Sequence, residues 1–226
     1  MLNIQYEKFL AIFATFALIG SVAIPTAIAQ APILEKKVIL DYSEPTHTGK
    51  SFDACGDGSR KYSTFSGGLK WFSFPISYHI DAPSSSAKAA VVAGFNEWDN
   101  EGHPAGALFS ETAGTADIVV SWAPIDGSGN VLAQTTFWYN PFTKEIVEAE
   151  IVFDSGDNWF VAARLSCSAT GNSFDIQDVA VHEIGHSLGL GHVSDPALTM
   201  YRYASPGETL KRSLGNGDQR GLDRLY

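Results

Sequence analysis

The chain is short of several things that would point elsewhere. It has two cysteines in 226 residues, Cys55 and Cys167, so covalent cross-linking can contribute at most one intrachain bridge. Lys and Arg number 15 against 25 Asp and Glu, a net charge of -10, which argues against nucleic acid and anionic membranes as partners. A phosphate-binding loop is missing. Gly49-Lys50-Ser51 reproduces only the end of that pattern, and Glu44 stands where its first glycine belongs. His47, His79 and His103 lack metal-ligand neighbours at useful spacing, and there is no internal repeat or second catalytic constellation.

A long apolar run occurs once, at the start. Lys8 opens a weakly basic leader, Phe9 to Ile24 is strongly apolar, and Ala27-Ile28-Ala29 supplies a small-x-small cleavage site. Residues 1–29 therefore read as a signal peptide and the protein as secreted. An uncleaved anchor extending to Ala29, which would leave it membrane-attached, is the alternative. Cleavage leaves about 197 residues with the net charge unchanged at -10, enough for one domain with a sizeable core. No stable membrane association is expected after cleavage, and a monomer is expected. Residues 30–68 read as an N-terminal arm or short propeptide, with Val38 to Tyr42 a short strand and Ser43 to Gly68 rich in Gly, Ser and Asp.

The richest stretch is His182-Glu183-Ile184-Gly185-His186-Ser187-Leu188-Gly189-Leu190-Gly191-His192. Four helical residues turn the chain by about 400°, so His182 and His186 share a face one turn apart and can share one metal. Glu183 leaves on the flank, placed to reach a water at that metal without being a ligand. A continuing helix would carry His192 through about 600° and roughly 9 Å, away from the ion. Gly189 permits a left-handed bend that returns the chain, and Gly191 offers a second joint. Asp175 as N-cap, Asp178 at N3 and the stripe Ile176, Val179, Ala180, Ile184, Leu188 place these residues on a real helix.

With this stretch in view, the chain resembles the metzincin metallopeptidases, and within them the matrixins, the family of the matrix metalloproteinases. Ser194-Asp195-Pro196-Ala197-Leu198-Thr199-Met200-Tyr201 is similar to the segment carrying the Met-turn, which would put Met200 beneath the zinc. Gly217 to Tyr226 resembles the closing helix, Trp71 to Ile80 the first strand, Ala90 to Trp98 the first long helix and Ala116 to Val120 a central strand. The likeness covers about residues 69–226, read as the catalytic domain. Arg202 stands where astacins and serralysins place a tyrosine, which disfavours those branches.

The resemblance implies an α+β zincin-like domain, a twisted mixed sheet with long helices and a Met-turn. It implies one catalytic Zn2+ held by His182, His186 and His192, with Glu183 as general base and acid in hydrolysing internal peptide bonds. The partner would be a polypeptide bound in extended form along the strand Leu132 to Thr136, the sheet edge above the metal in this family. Matrixins commonly hold a second, structural zinc through histidines. Gln134 and Val152 stand at the matching places, so one zinc is expected. Asp126, Asp154 and Asp157 fall where the family binds Ca2+, and they equally suit ordinary turn aspartates.

Two readings of the cysteines stay open. Cys55 and Cys167 pair as a disulfide in an oxidising compartment, or Cys55, in Asp53-Ala54-Cys55-Gly56-Asp57, is a latency ligand on the zinc, although the arginine expected before it is absent. Two functional alternatives stay open as well. One is a zinc amidase acting on a non-protein substrate; the other is a non-catalytic secreted binding protein on the same scaffold, against which the intact Glu183 counts.

The periodicity sets coarse elements. Lys70 to Ile80 is strand-like, and Ser84 to Asn100 is a helix with Ala87, Val91, Phe95 and Trp98 near one face. Ala116 to Trp122, Leu132 to Tyr139 and Glu145 to Phe153 are strands, the last two joined across an Asn140-Pro141 turn.

Overall fold

The computed structural model describes residues 32–43, 58–100, 106–163 and 171–226. Cys55, Cys167, His47, His103 and the leader lie outside them, and with them both readings of the cysteines. Among the described residues no helix is long and apolar enough to cross a membrane.

Nine strands and three α-helices are described: β1 (Glu35–Ser43), β2 (Ile76–Ile80), α1 (Ser85–Asp99), β3 (Phe109–Glu111), β4 (Ile118–Ala123), β5 (Val131–Tyr139), β6 (Ile146–Asp154), β7 (Trp159–Phe160), β8 (Phe174–Asp175), α2 (Ile176–Ser187), β9 (Tyr203–Ala204) and α3 (Asn216–Leu225). Seven strands form one mixed sheet in the order β3-β2-β4-β6-β5-β1-β9, and β7 pairs with β8. β3, β2, β4 and β6 run parallel to one another, while β5 is antiparallel to both β6 and β1. The first predicted strand is shorter than its apolar content suggested. Only Ile76–Ile80 pairs with β3 and β4, and Lys70 makes an isolated bridge to Glu145 ahead of the cis Phe74-Pro75 peptide.

Helix α1 starts where the Ser84 hydroxyl accepts the Ala87 N–H, and its buried face is Ala87, Ala90, Val91, Gly94, Phe95 and Trp98. Phe95 stacks on Tyr78 of β2 with ring centroids 3.8 Å apart. Gly94 lets α2 come close, since a β-carbon there would lie 3.1 Å from that of Ala180. Trp98 is fully buried and donates its indole N–H to the Val181 carbonyl at 2.8 Å, pinning α1 to the turn that carries His182. The two helices cover one face of the sheet, and α2 is almost wholly enclosed.

Both ends of α2 are fixed by side chains. The Asp175 carboxylate accepts the Asp178 N–H at 3.2 Å, as the N-cap reading expected. The Asp178 carboxylate does not close a reciprocal box; it accepts the backbone N–H of Lys211 at 2.7 Å instead. At the far end the Ser187 carbonyl receives the Trp71 indole N–H at 2.8 Å, and the Leu188 carbonyl receives the Tyr226 hydroxyl at 2.8 Å. Trp71 and Tyr226 thus lock the helix that carries the histidines.

A buried ion pair secures the start of α2. Arg212, in a single 3-10 turn at Leu210–Arg212, donates from Nη2 to Asp175 Oδ1 at 2.6 Å and from Nε to Asp175 Oδ2. Both residues are buried, so removing the cation would strand a carboxylate in the core. Arg212→Met is expected to lower the unfolding free energy by about 3 kcal/mol in denaturant titration, with a matching loss of helical protection at residues 176–180 in hydrogen exchange.

Candidate metal centre

Helix α2 delivers His182 and His186 to one point, and the chain then has to return His192 to it. Leu188 closes the helix with α-helical angles, and Gly189 follows at φ +98°, a conformation that suits glycine. Its freedom is needed twice over, because a β-carbon there would fall 2.1 Å from the Leu69 carbonyl oxygen. Gly191, read from the sequence as a second joint, does not take a left-handed conformation. Its lack of a side chain gives room to the Ser63 hydroxyl, which would meet a β-carbon at 2.8 Å.

The three imidazoles converge. His186 Nε2 lies 3.1 Å from His182 Nε2 and 3.1 Å from His192 Nε2. Ligands at about 2.0–2.1 Å from a tetrahedral Zn2+ are about 3.3 Å apart, so the separation matches that geometry closely. The other ring nitrogens determine the tautomer. His182 Nδ1 is 2.5 Å from the Thr199 carbonyl and His186 Nδ1 is 2.7 Å from the Leu190 carbonyl. A carbonyl only accepts, so both Nδ1 atoms carry the proton and both Nε2 lone pairs face the centre. Burial drives the His182 pKa down to about 3, which keeps it neutral, and burial lowers His192 as well.

A fourth side chain enters this point. Asp41, on β1, sets Oδ1 at 2.9 Å from His182 Nε2 and against His192 Nε2, with Oδ2 3.3 Å from His186 Nε2. Asp41 and the three histidines are the one group of candidate metal ligands among the described residues. Lone pairs facing a carboxylate repel one another, and Asp41 Oδ2 has no hydrogen-bond donor. A divalent cation at the centre resolves both, so the residues fit zinc.

Glu183 is fully buried beside the tripod. Its Oε2 accepts the Thr135 hydroxyl of β5 at 2.5 Å, whereas Oε1 has no partner. Burial, and next the adjacent Asp41 charge, push its pKa well above the ordinary carboxylate range. Beneath the site, Met200 packs on the helix at Gly185, where a β-carbon would overlap its sulfur at 2.4 Å. Asp218 of α3 fastens that turn, its carboxylate accepting the Thr199 N–H at 2.9 Å and the Met200 N–H at 3.1 Å.

The remaining predicted positions separate. Gln134 and Val152 sit opposite one another on β5 and β6, and Gln134 donates to the Thr136 hydroxyl at 3.2 Å. Asp126, Asp154 and Asp157 do gather at one corner. There Asp154 accepts the N–H groups of Ile125, Asp126, Gly127 and Gly156 at 2.7–3.2 Å. Asp157 accepts the Gly129 N–H at 2.7 Å through Oδ1, and its Oδ2 has no partner. His79 is a strand histidine whose Nδ1 lies 3.1 Å from the Thr112 carbonyl. The expected free sheet edge is not free: β1 lies along β5, with Ile39 opposite Thr135 and Asp41 opposite Ala133.

Asp41, Thr135 and Asp218 were missed in the sequence. Asp41 alone left a trace, an acid two residues after Ile39 on the buried phase of a strand, where an aliphatic residue is expected. The bend at Gly189 is directly testable. Gly189→Ala combines a disfavoured backbone with overlap against Leu69, and should cost about 3 kcal/mol in denaturant titration while lowering zinc affinity by displacing His192.

Comparison with known proteins follows the same residues. The family model for matrixin matches residues 70–226. Human matrilysin is 31% identical over 182 residues, covering 74% of this chain and 62% of that protein. Metalloendoproteinase 1 of Glycine max is 33% identical over 149 residues, 62% of this chain and 45% of that protein. Stromelysin-1 of Rattus norvegicus is 32% identical over 179 residues, 73% of this chain and 34% of that protein. The chain spans less than two thirds of the length of each of these relatives. With the match covering most of its length and all three histidines, the chain belongs to the matrixin family.

Proposed function

We propose that this chain is a secreted zinc-dependent endopeptidase, with His182, His186 and His192 as the protein ligands of one zinc and Glu183 as general base and acid. The observation that carries the reading is the division of labour within the Glu183 carboxylate, one oxygen held by Thr135 and the other unpartnered beside three convergent imidazole lone pairs. A binding site has no use for such a base. The names of the relatives, matrilysin and metalloendoproteinase among them, support the same class. The leader at residues 1–29 supports secretion.

Zinc at this centre supplies a Lewis acid that acidifies a water and polarises a carbonyl. The chain's own groups do the rest. Glu183 Oε1 accepts the proton of the attacking water and returns it to the departing amine nitrogen as the C–N bond breaks. The Thr135 hydroxyl keeps the carboxylate from rotating away. The Thr199 and Leu190 carbonyls hold two imidazoles in the tautomer that leaves Nε2 free. The Met200 turn, fixed by Asp218, supports His182 from below. With β1 displaced, the edge of strand β5 would offer backbone groups to an extended peptide without reference to its side chains.

The test is metal content together with cleavage of a mixed peptide library, read by mass spectrometry. Wild type and Glu183→Gln are each expected to hold one zinc, and His182→Ala to lose it. Glu183→Gln should reduce chelator-sensitive cleavage by about 1,000-fold. Retained cleavage in Glu183→Gln would require another base, and zinc binding without cleavage by any variant would move the substrate to another amide or the protein to a binding role. Thr135→Val should lower kcat about tenfold with little change in KM, the loss of one hydrogen bond to the base.

A further inference from the structure

We infer that residues 35–43 are an internal competitor of the substrate, with Asp41 supplying the fourth metal ligand in place of the attacking water. This inference rests on the zinc endopeptidase reading. Strand β1 lies between two strands and is bonded to both. It is antiparallel to β5 from Glu35–Tyr139 to Tyr42–Val131, and parallel to β9 through Tyr42–Tyr203 and Ser43–Ala204. An extended peptide added to β5 would need the same backbone groups. The strand's ends are fastened as well. Tyr139 donates its hydroxyl to Glu35 Oε2 at 2.5 Å, and Ser43 donates its N–H to the Asn130 carbonyl at 2.8 Å and its hydroxyl to the Gly129 carbonyl at 2.7 Å.

At the centre the competition is for one position. Three imidazoles leave a tetrahedral zinc one further site, and the Asp41 carboxylate is the group that faces it, on the open side of the tripod. It is also pressed against Glu183. The cavity between Asp41, Tyr42, Leu132, Val179 and Glu183 has a volume of about 10 Å3. A water needs roughly 10–15 Å3, so with β1 seated the space beside the base is at the lower limit for a single water and leaves no room for a substrate. The position that sequence resemblance offered to Cys55 is thus taken in the structure by an oxygen ligand fourteen residues earlier in the chain. A carboxylate oxygen is a competent zinc ligand at about 2.0–2.2 Å.

The experiment uses the full chain loaded with Co2+ in place of zinc, as wild type, Asp41→Ala and the near-isosteric Asp41→Asn. Each is titrated with acetohydroxamate while the visible absorption of the metal is followed, and each is assayed on the peptide library as the zinc form. Wild type is expected to need at least tenfold more hydroxamate than either variant to change its spectrum, and to cleave at least tenfold more slowly. Should Asp41→Ala fail to fold, Asp41→Asn decides, because it keeps the shape and loses the charge. Equal hydroxamate affinity in wild type and Asp41→Asn would overturn the inference, and would leave the endopeptidase reading standing wherever cleavage is seen. A spectral difference without cleavage by any form would uphold the Asp41 ligand and overturn the endopeptidase reading instead.

Discussion

Three convergent lone pairs, two of them each 3.1 Å from that of His186, do not stay together without a cation between them, and much of the domain is organised to hold them in that unfavourable position. Two are fixed by backbone carbonyls that consume the opposite ring N–H, and those carbonyls are themselves fixed. Thr199 is held by Asp218 of α3, and Leu190 follows the bend that only glycine at 189 allows. Helix α2 in turn is anchored by Trp98, Trp71 and Tyr226 through single hydrogen bonds from large, buried side chains. The closing helix, far along the chain, is therefore part of the site's support as much as of the core.

The legible part of this arrangement was local. A helix of known pitch determines where His182, Glu183 and His186 point, and the glycine after Leu188 announced the return of the chain, so those placements followed from residues within a few positions of one another. The caps at Ser84 and Asp175 and the buried face of α1 were legible for the same reason. What escaped was long-range. Thr135 meets Glu183 across 48 positions, and Asp41 meets His192 across 151. Asp218 reaches back 19 residues to Thr199, close in sequence yet in another element. No periodicity encodes such meetings, because they depend on which strand lies beside which. Gly191 adds a subtler case, since a glycine needed for closeness looks the same in sequence as one needed for conformation.

The same polar atoms explain why the site is selective about what may sit in it. Asp154 satisfies its lone pairs with amides and is finished, whereas Asp41 Oδ2 and Glu183 Oε1 are buried without a donor. An unsatisfied buried carboxylate oxygen costs about 1–3 kcal/mol or more, so it persists where another requirement, here a metal and a proton to be moved, depends on it.

Strand β1 is joined covalently to the matrixin-matching part, which begins at residue 70, by the intervening chain from residue 44 to residue 69. Tethering makes occupancy of the cleft a property of one molecule, insensitive to dilution. Cutting that connection anywhere would convert the same contacts into a bimolecular equilibrium. The strand would then be lost by dilution alone, with no contact in the cleft altered.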